Sequence, residues 1–406
     1  MHVTIVDSDV SYPANSGKRL RTLNLMLPLG RRHKITYLAR SFGAPTDGQA
    51  IELLADHGIT TVLVDAPLPP RSGLSFYGGL AANLMSEHPY SVTSHASETM
   101  RQAVRRHALA HRVDLIQLEW QGYFYCTEGL QIPFVMHAQN VDALIWQRYH
   151  ETESNPVKRL YVKSQWAKME RFERRVFEAA TRVVAVSAQD AALARQLYGE
   201  LPLDVVDNGV DVAGFAGLQP VPGSRTILFL GAFDWRPNLD AVKLLLETIF
   251  PAVRARLPDA RLAVVGRRPP EWLRRQVAGV DGAALHADVP DVKTYLASSA
   301  VMAVPLRIGG GSRLKILESL AAGLPVVSSR VGAEGLELVA GEHFTQADTP
   351  ASMAEALIAA LQDPDKCRAQ AERGRAVVAG RYDWSMLAGR LEQSWERAAR
   401  LESVPA

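Results

Sequence analysis

The chain has 406 residues, 47% hydrophobic and 22% charged, a composition typical of a globular protein with two or three domains, two being the simplest count. Its 45 lysines and arginines against 43 acidic residues leave a formal charge of +2, which gives no general attraction to nucleic acid. Cys126 and Cys367 lie far apart without metal-ligand spacing, which argues against a disulfide framework or a zinc site and favours a reducing cytosol.

The N-terminal residues enter a strand pattern directly, without a basic region or a cleavage site, and no apolar run approaches the ~18 residues that span a bilayer. We therefore expect neither secretion nor membrane insertion. Asp7 and Asp9 alternate at the end of this first strand. Capping and turn hydrogen bonds are the ordinary role of such carboxylates, and metal ligation is the alternative.

The segment between Asp9 and Asp47 contains no carboxylate and is strongly basic. Its cations are Lys18, Arg19, Arg21, Arg31, Arg32, Lys34 and Arg40. This pattern predicts a positive face on the N-terminal part, and two interpretations stay open: an anionic partner or a solvated helix face.

Short apolar, β-branched runs alternate with longer helix-period segments along the chain, a pattern typical of parallel sheets covered by helices on both faces. The strand candidates of the first half are "HVTIVDS", "HKITYLA", "TTVLVDA", "DLIQLEW", "FVMHAQN" and "RVVAVSA". Those of the second half are "TILFLGA", "RLAVVGR", "AALHADV", "VMAVPL" and "PVVSSR". The sequence thus predicts an α/β protein of two doubly wound, Rossmann-like domains.

A Gly- and Pro-rich segment without periodicity, "DNGVDVAGFAGLQPVPGSRT", separates the two series and indicates a linker near Asn208. We place the domains at 1–208 and 209–383, followed by an amphipathic helix within 384–406. This helix either crosses back over the first domain or packs within the second. Open α/β sheets bind ligands beyond the carboxyl ends of their strands, so we expect the site there, in a cleft between the two domains.

A glycine stretch follows the strand candidate "VMAVPL". Gly309, Gly310 and Gly311 allow close approach of a ligand to the backbone, and Ser312 is a candidate N-cap of the next helix. The amides of the first turn would then favour an anion such as a phosphate.

Two cations and a carboxylate lie in the same helix. Arg313 and Lys315 occupy its positive end, where they are unfavourable unless an anion or surface carboxylates compensate them. Glu318 lies one turn further among apolar residues, and a carboxylate in that setting needs hydrogen-bond donors. Ribose hydroxyls are one source, and a pair with Lys315 is the alternative.

This segment, "GGGSRLKILESLAAGLPVVSSRVGAEGL", resembles the donor-binding segment of family-four glycosyltransferases of the GT-B fold. The likeness extends over nearly the whole chain. The other segments that are similar to the family are "YPANSGKRLRTLNLMLPLGRRHKITYLA", "HAQNVDALIWQR", "VVAVSAQD", "VVDNGVDVAGF" and "GAFDWRPNLDAV".

The resemblance implies an N-terminal acceptor domain, a C-terminal donor domain and a set of site residues. Together with the residues singled out above and the hypothesis given below, it leads us to predict donor binding by Ser16, Gly17, Lys18, Asn140, Arg236, Val289, Pro290, Gly310, Gly311, Ser312, Leu314 and Glu318. Glu318 would hold the nucleotide ribose, and Val289 and Pro290 would lie at the base. The carbonyl or the ring of His137, with Asn140 as the alternative alignment, would lie near the transferred sugar.

Three departures from the family pattern matter. Gly310 replaces the first glutamate of the paired-glutamate motif, and Ala232 and Asn238 replace the Arg and Lys that clamp the diphosphate in many members. We hypothesise that Arg313 and Lys315, with Arg236, supply the lost charge. Together with His137 they form our predicted catalytic set.

The implied reaction moves a sugar from a nucleotide-diphosphate donor to a hydroxyl of a saccharide, lipid-linked or small-molecule acceptor, with retention at the anomeric carbon. We expect no cofactor and no metal beyond the nucleotide sugar as co-substrate, and front-face attack, with double displacement left open. The alternatives are a nucleotide-sugar 2-epimerase of the same fold or a non-catalytic nucleotide-sugar-binding subunit.

The loops of the N-terminal domain, which would build the acceptor site, do not identify the acceptor. Tyr123, Phe124 and Tyr125 are candidates to line it, with core packing as the equal alternative. The basic N-terminal stretch suggests docking on an anionic lipid surface, which would place the protein in the cytoplasm, on the inner face of the plasma membrane, by analogy with members that build cell-envelope polysaccharides.

Overall fold

In the computed structural model, the described residues are 1–14, 16–70, 72–218, 221–308 and 314–401. The chain divides into two compact units, Met1–Asp207 together with Leu387–Ala406, and Asn208–Met386. Both crossings between the units lie within three residues of the boundaries placed from the sequence.

The first unit is built on a seven-stranded sheet in which every pairing is parallel. Its strands are β1 (His2–Asp7), β2 (Lys34–Ser41), β3 (Ile59–Asp65), β4 (Leu115–Leu118), β5 (Phe134–Ala138), β6 (Arg182–Ala185) and β7 (Leu203–Val205). Their order, β3-β2-β1-β4-β5-β6-β7, reverses direction between β1 and β4, and ligands bind at such switch points in doubly wound sheets.

Helices connect these strands, with a 3₁₀ turn at Gln121–Cys126. They are α1 (Gly17–Gly30), α2 (Asp47–Asp56), α3 (Leu74–Asn83), α4 (Tyr90–Thr93), α5 (Glu98–Ala110), α6 (Asp142–Thr152), α7 (Pro156–Ala179) and α8 (Ala188–Tyr198). Helix α1 begins because the Ser16 side chain caps it by accepting from Arg19 N, and it continues because Leu23, Met26 and Leu29 pack inward at helical spacing.

The second unit contains a six-stranded, all-parallel sheet in the order β10-β9-β8-β11-β12-β13, with its switch point between β8 and β11. Its strands are β8 (Thr226–Leu230), β9 (Arg261–Gly266), β10 (Ala283–Ala287), β11 (Val301–Val304), β12 (Val326–Ser328) and β13 (Thr345–Gln346). Its helices are α9 (Val212–Phe215), α10 (Arg236–Leu244), α11 (Phe250–Arg256), α12 (Glu271–Ala278), α13 (Lys293–Ser298), α14 (Leu314–Ala321), α15 (Arg330–Ala333), α16 (Pro350–Gln362) and α17 (Pro364–Arg381), with a π turn at Leu245–Ile249.

The segment predicted as a linker is part of the second unit. Val210 and Phe215 are buried in its core, and Val210 N donates to Tyr382 O. The segment predicted as a linker is thus packed on the core of the second unit at these residues, because two apolar side chains in an otherwise polar, glycine-rich segment are enough to anchor it.

The C-terminal helix α18 (Trp384–Leu401) begins in the second unit and continues as part of the first. Trp395 is fully buried, and its indole N–H donates to Gln117 Oε1 at 2.6 Å on strand β4. Glu392 accepts from His33 at 2.7 Å. No helix of the described residues has the length and apolar character to cross a bilayer.

Candidate functional site

A cluster of charges lies at the carboxyl end of β1, next to the switch point of the first sheet. Asp7 is fully buried and accepts hydrogen bonds from Ser11 Oγ at 2.9 Å and Tyr37 Oη at 2.7 Å. The Lys18 ammonium forms ion pairs with both Asp7 and Asp9. Lys18, predicted to bind the donor, therefore has two carboxylate partners within its own unit.

A second network crosses the same edge of the sheet and is buried completely. Arg21 Nε donates to His137 Nε2 at 2.8 Å, and the other ring nitrogen of His137 lies 3.0 Å from Glu119 Oε1. Glu119 also accepts from Thr22 Oγ1 at 2.6 Å. The three titratable side chains of this network have 0% exposed surface: Arg21, His137 and Glu119.

The hydrogen bonds define the protonation of this network. Burial lowers the pKa of His137, so its ring is neutral and its Nδ1–H donates to Glu119. Burial by itself would raise the pKa of Glu119, but the hydrogen bonds from His137 and Thr22 outweigh it and lower that pKa. Arg21 also donates to the carbonyl oxygens of Asp207 at 2.6 Å and Val206 at 2.5 Å, the last residues of the unit before the chain leaves it.

The structure corrects the role given to the His137 side chain. Because the ring is fully buried and both nitrogens have partners, it presents no surface to a sugar. Its observed role is to join Arg21 to Glu119. Asn140, the alternative alignment, is exposed just before α6.

The basic N-terminal stretch does not form one positive face. Arg21 and Arg40 are buried at 0% and 1% exposure, and Arg40 donates to the carbonyl of His95 at 2.7 Å. Arg19 pairs with Asp9. The prediction was wrong because the cations alternate between the inside and the surface of the unit, and carboxylates distant in sequence neutralise several of them.

The aromatic candidates for the acceptor site are mainly core residues. Tyr123 has 0% and Phe124 9% exposed surface, and both belong to the core of the first unit. Tyr125 is half-buried and accepts from Ser97 N at 3.2 Å. The core-packing alternative therefore holds for Tyr123 and Phe124. Of the loop at the start of α1, Ser16 is half-buried at the N-cap and Gly17 is exposed.

The corresponding edge of the second sheet carries a polar contact that joins both sides of its switch point. Asn238, on α10 after β8, donates from Nδ2 to Ala232 O at 2.9 Å. The ammonium of Lys315, on α14 after β11, donates to Asn238 Oδ1 at 2.9 Å and lies 4.9 Å from the ring centroid of Phe229. The cation of Lys315 thus reaches the side chain at a position where the resembling family carries its own lysine.

Glu318 lies one turn beyond Lys315 on α14 and is half-buried. Burial raises the pKa of its carboxyl to about 7; Lys315 opposes this shift, and the Asp291 carboxylate adds to it. A carboxyl group near its midpoint at neutral pH, half-exposed at a switch point, is poised to accept hydrogen bonds from a ligand's hydroxyls.

The loop after β10, predicted to contact the base, has an unusual backbone. Asp288 of this loop and Arg268, which follows the neighbouring strand β9, both have φ of +53°, and Asp288 Oδ1 accepts from Arg268 N at 2.8 Å. Val289 packs against the core, while Pro290 is exposed. Strained backbone of this kind collects at ligand-binding edges, because surrounding contacts must hold it in place.

The remaining predicted site residues fall in two groups: some are described by the structure, and the others are not. Arg236 is exposed at the first turn of α10, and Leu314 is half-buried at the first residue of α14. The other predicted residues, Gly310, Gly311, Ser312 and Arg313, lie outside the described residues, as does Gly309.

Sequence reasoning missed the buried partners in the first unit, Arg21, Glu119 and Asp7 as an organised set. Arg21 was counted only as one more surface cation of the basic stretch. A signal existed: Arg21 lies between the apolar positions Leu20 and Leu23 of an inward-facing helix, and Glu119 follows directly on a fully buried strand. Charges at such positions need partners.

Models of known protein families match residues in both units. Residues 21–213 match the model of "Glycosyltransferase Family 4", and residues 224–363 match that of "Glycosyl transferases group 1". A curated relative, the phosphatidyl-myo-inositol mannosyltransferase of Mycobacterium leprae, is 33% identical over 203 residues, which cover 48% of this chain and 53% of the relative. The chain thus spans about half the length of this relative in the match.

The fold of this chain is similar to that of solved structures over nearly its whole length. Sucrose-phosphate synthase from Thermosynechococcus elongatus superposes with a TM-score of 0.70 at 16% identity, covering 98% of this chain and 99% of that one. Anabaena HepE, solved with UDP and glucose, superposes with a TM-score of 0.67 at 15% identity and full coverage of both chains. At this identity the likeness establishes the fold alone, and it confirms the predicted pair of Rossmann-like domains.

The matches do not favour the epimerase or the non-catalytic binding subunit. With family models matching in both units and the GT-B arrangement of two parallel sheets, the chain belongs to the family-four glycosyltransferases of the GT-B fold.

Proposed function

We propose that the protein is a retaining glycosyltransferase that moves a sugar from a nucleotide-diphosphate donor to a hydroxyl group. The observation that carries the proposal is the group at the switch point of the second sheet. There Lys315 crosses from α14 to Asn238 on α10, and the half-buried Glu318 lies one turn away. A cation beside a carboxylate of pKa about 7 fits a ligand that carries both phosphates and vicinal hydroxyls.

The chemistry requires charge stabilisation more than covalent participation by the protein. As the bond from the sugar to the diphosphate breaks, negative charge grows on the leaving phosphate, and a fixed cation lowers the energy of that state. In the proposal Lys315 supplies this charge together with Arg313 and Arg236, while Glu318 accepts hydrogen bonds from the ribose. The reaction needs no cofactor, and we propose that these cations take the place of a metal, so that a chelator leaves turnover unchanged.

The acceptor is proposed to bind to the first unit and to be a saccharide or lipid-linked hydroxyl. The Mycobacterium leprae relative is named for a phosphatidylinositol acceptor and a mannosyl group, and HepE was solved with UDP and glucose. By this analogy the protein would act on the inner face of the plasma membrane, from the cytoplasm.

The test is incubation of the purified protein with UDP-glucose, UDP-N-acetylglucosamine and GDP-mannose, with and without a lipid extract, followed by NMR of the anomeric protons. A glycosylated product, or slow release of free sugar, with the donor's anomeric configuration is expected. Glu318→Ala should abolish it, and Glu271→Ala, which removes an exposed carboxylate of the same unit, should not. Conversion of the free nucleotide sugar to its epimer, or an intact donor under all conditions, would contradict the proposal.

A further inference from the structure

The first unit exposes an unusual amount of apolar surface around three helices. Leu74 and Met85 are 92% and 91% exposed, and Val157 and Leu160 are 78% and 72% exposed. Further large apolar side chains more than a third exposed on the same helices, or directly after α3, are Tyr77, Leu84, Ile145 and Tyr149. Scattered single exposures are normal in soluble proteins, but a cluster of eight marks a site of contact.

Helices α3 and α6 both form hydrogen bonds with α7. Gln165 of α7 donates to Asn83 at 2.9 Å, which fixes the end of α3 beside this helix. Lys168 donates to the carbonyl of Asn83 at 2.6 Å. On α6, the His150 ring lies 3.1 Å from the carbonyl of Arg159. The end of α3 and the end of α6 therefore both lie beside α7, whose first turns carry the exposed Val157 and Leu160.

Helix α3 has a composition unsuited to a surface in water. Its sequence, "LSFYGGLAAN", contains no charged residue, although only Asn83 of its ten residues is buried. Phe76 turns toward the unit and packs on the Tyr90 ring at 5.9 Å, which leaves Leu74 and Tyr77 outward. A surface helix normally carries a polar outer face, so this outer face is built for a non-aqueous partner.

The start of α7 carries three exposed cations, which Glu151 and Glu153 of the preceding segment offset only in part. Lys158, Arg159 and Lys163 are exposed beside Val157 and Leu160, and the first turn of the helix contains no acidic residue. Apolar side chains interleaved with cations are the composition of helices that lie in the interface of anionic bilayers. A symmetric pair of copies would instead bury these cations against an equally basic surface.

We propose that this surface, formed by α3 with Leu84 and Met85, by Ile145 and Tyr149 of α6, and by the first turns of α7, docks the protein on an anionic phospholipid bilayer. Its apolar side chains enter the headgroup region, and Lys158, Arg159 and Lys163 contact the lipid phosphates. The inference deepens the proposed function, on which it rests for the lipid-linked acceptor. It assigns the docking to residues other than the N-terminal basic stretch.

The test is co-sedimentation of the full chain with vesicles of phosphatidylcholine alone and with vesicles of equal parts phosphatidylcholine and phosphatidylglycerol. The wild type should sediment with the anionic vesicles only. Lys158→Gln/Arg159→Gln should lower the partition coefficient by about fivefold per charge. Val157→Gln/Leu160→Gln should lower it by about tenfold or more, since both side chains lose apolar burial in the bilayer.

Matched variants on α5 serve as controls. Leu109→Gln replaces a side chain that is 76% exposed, and Arg105→Gln/Arg106→Gln removes two adjacent exposed cations of the same unit. Both controls should sediment like the wild type. Equal losses in the α5 and α7 variants, sedimentation unaffected by the α7 changes, or conversion of a dimer to a monomer by Val157→Gln/Leu160→Gln without vesicle binding would each overturn the proposal.

A parallel titration with nucleoside diphosphates separates this inference from the proposed function. The α7 variants should bind nucleotide like the wild type, because Lys315 and Glu318 lie in the other unit. Vesicle binding that is lost in these variants while no nucleotide binds to any form would contradict the proposed function and leave the docking surface standing.

Discussion

The carboxyl edges of the two sheets use charged residues in opposite ways. In the first unit Arg21, His137 and Glu119 are fully buried and bind one another, and Lys18 is held between two carboxylates. In the second unit Lys315 and Glu318 are only half-buried, and the pKa of Glu318 lies near neutrality. The difference teaches that charge in a site motif does not by itself identify a ligand contact.

The buried charged residues at the edge of the first sheet have a structural role, and we call them the frame. Those at the edge of the second sheet form the proposed binding surface. A buried, fully bonded network costs free energy to expose and fixes the backbone around it, here the strand ends and the carbonyls of Val206 and Asp207. A half-exposed carboxyl whose charge is disfavoured gains most from a ligand that supplies donors. Changes in the first edge should therefore affect stability, and changes in the second should affect binding.

The largest effect is expected from Arg21→Met. It leaves two carbonyl groups and the His137 ring nitrogen without their donor in a fully buried place. The free energy of unfolding of the first unit should fall by about 3–5 kcal/mol, as when one partner of a buried ionic network is removed. Urea denaturation followed by hydrogen exchange in β1, β4 and β5 measures it.

Arg31→Met is the control, because Arg31 is an exposed cation at the end of the same helix. It should change stability by no more than about 0.5 kcal/mol. If both variants unfold at the same urea concentration, the buried network contributes nothing and the frame interpretation fails.

Acid should weaken the same edge through Glu119. Its contacts hold its pKa below the ordinary 4.5, so the stabilisation is complete above pH 4.5 and is lost as the pH falls through the pKa of the folded chain. The slope cannot exceed about 1.4 kcal/mol per pH unit for one proton. In Glu119→Gln the contribution of this group should vanish, and the stability curve of the first unit should be flatter in that window; an unchanged slope would show that other carboxylates control acid unfolding.

The second edge should respond to pH in its ligand affinity. Because the pKa of Glu318 is about 7, a nucleoside diphosphate that needs the ionised carboxylate should bind more weakly below pH 7 than above it, by at most about tenfold per pH unit. Calorimetric titration of wild type and Glu318→Gln from pH 6 to pH 8 isolates this group from the titration of the phosphate itself. Identical pH profiles would mean that Glu318 does not bind the ligand as a carboxylate.

The sequence predicted eleven of the strands that the structure describes, because most of them are buried apolar runs of the kind that a parallel sheet requires. It missed β7 and β13, which have three and two residues and are too short to show a pattern. It also predicted a linker in the glycine-rich segment after Asn208, without indicating that two apolar residues anchor this segment in the core of the second unit.

For the candidate site, the sequence indicated which strand and helix ends carry the residues but not which side chains they contact. His137 was placed correctly at a strand end, but its partners Glu119 and Arg21 are 18 and 116 residues away, and local spacing carries no information on them. The hypothesis that Arg313 and Lys315 supply the clamping charge came from the absence of the family's Arg and Lys at positions 232 and 238. Its geometric basis, Lys315 on Asn238 across 77 residues, came only with the folded chain.

That contact allows the most direct test of the account, a titration of UDP and GDP against wild type, Lys315→Ala, and Lys315→Ala combined with Asn238→Lys. Lys366→Ala removes an exposed lysine of the same unit as the control. The account predicts that Lys315→Ala weakens binding about tenfold or more. It further predicts that a lysine at position 238, within reach of the lost ammonium, restores most of the affinity. Wild-type affinity in Lys315→Ala, or a loss that Lys366→Ala reproduces, would contradict it.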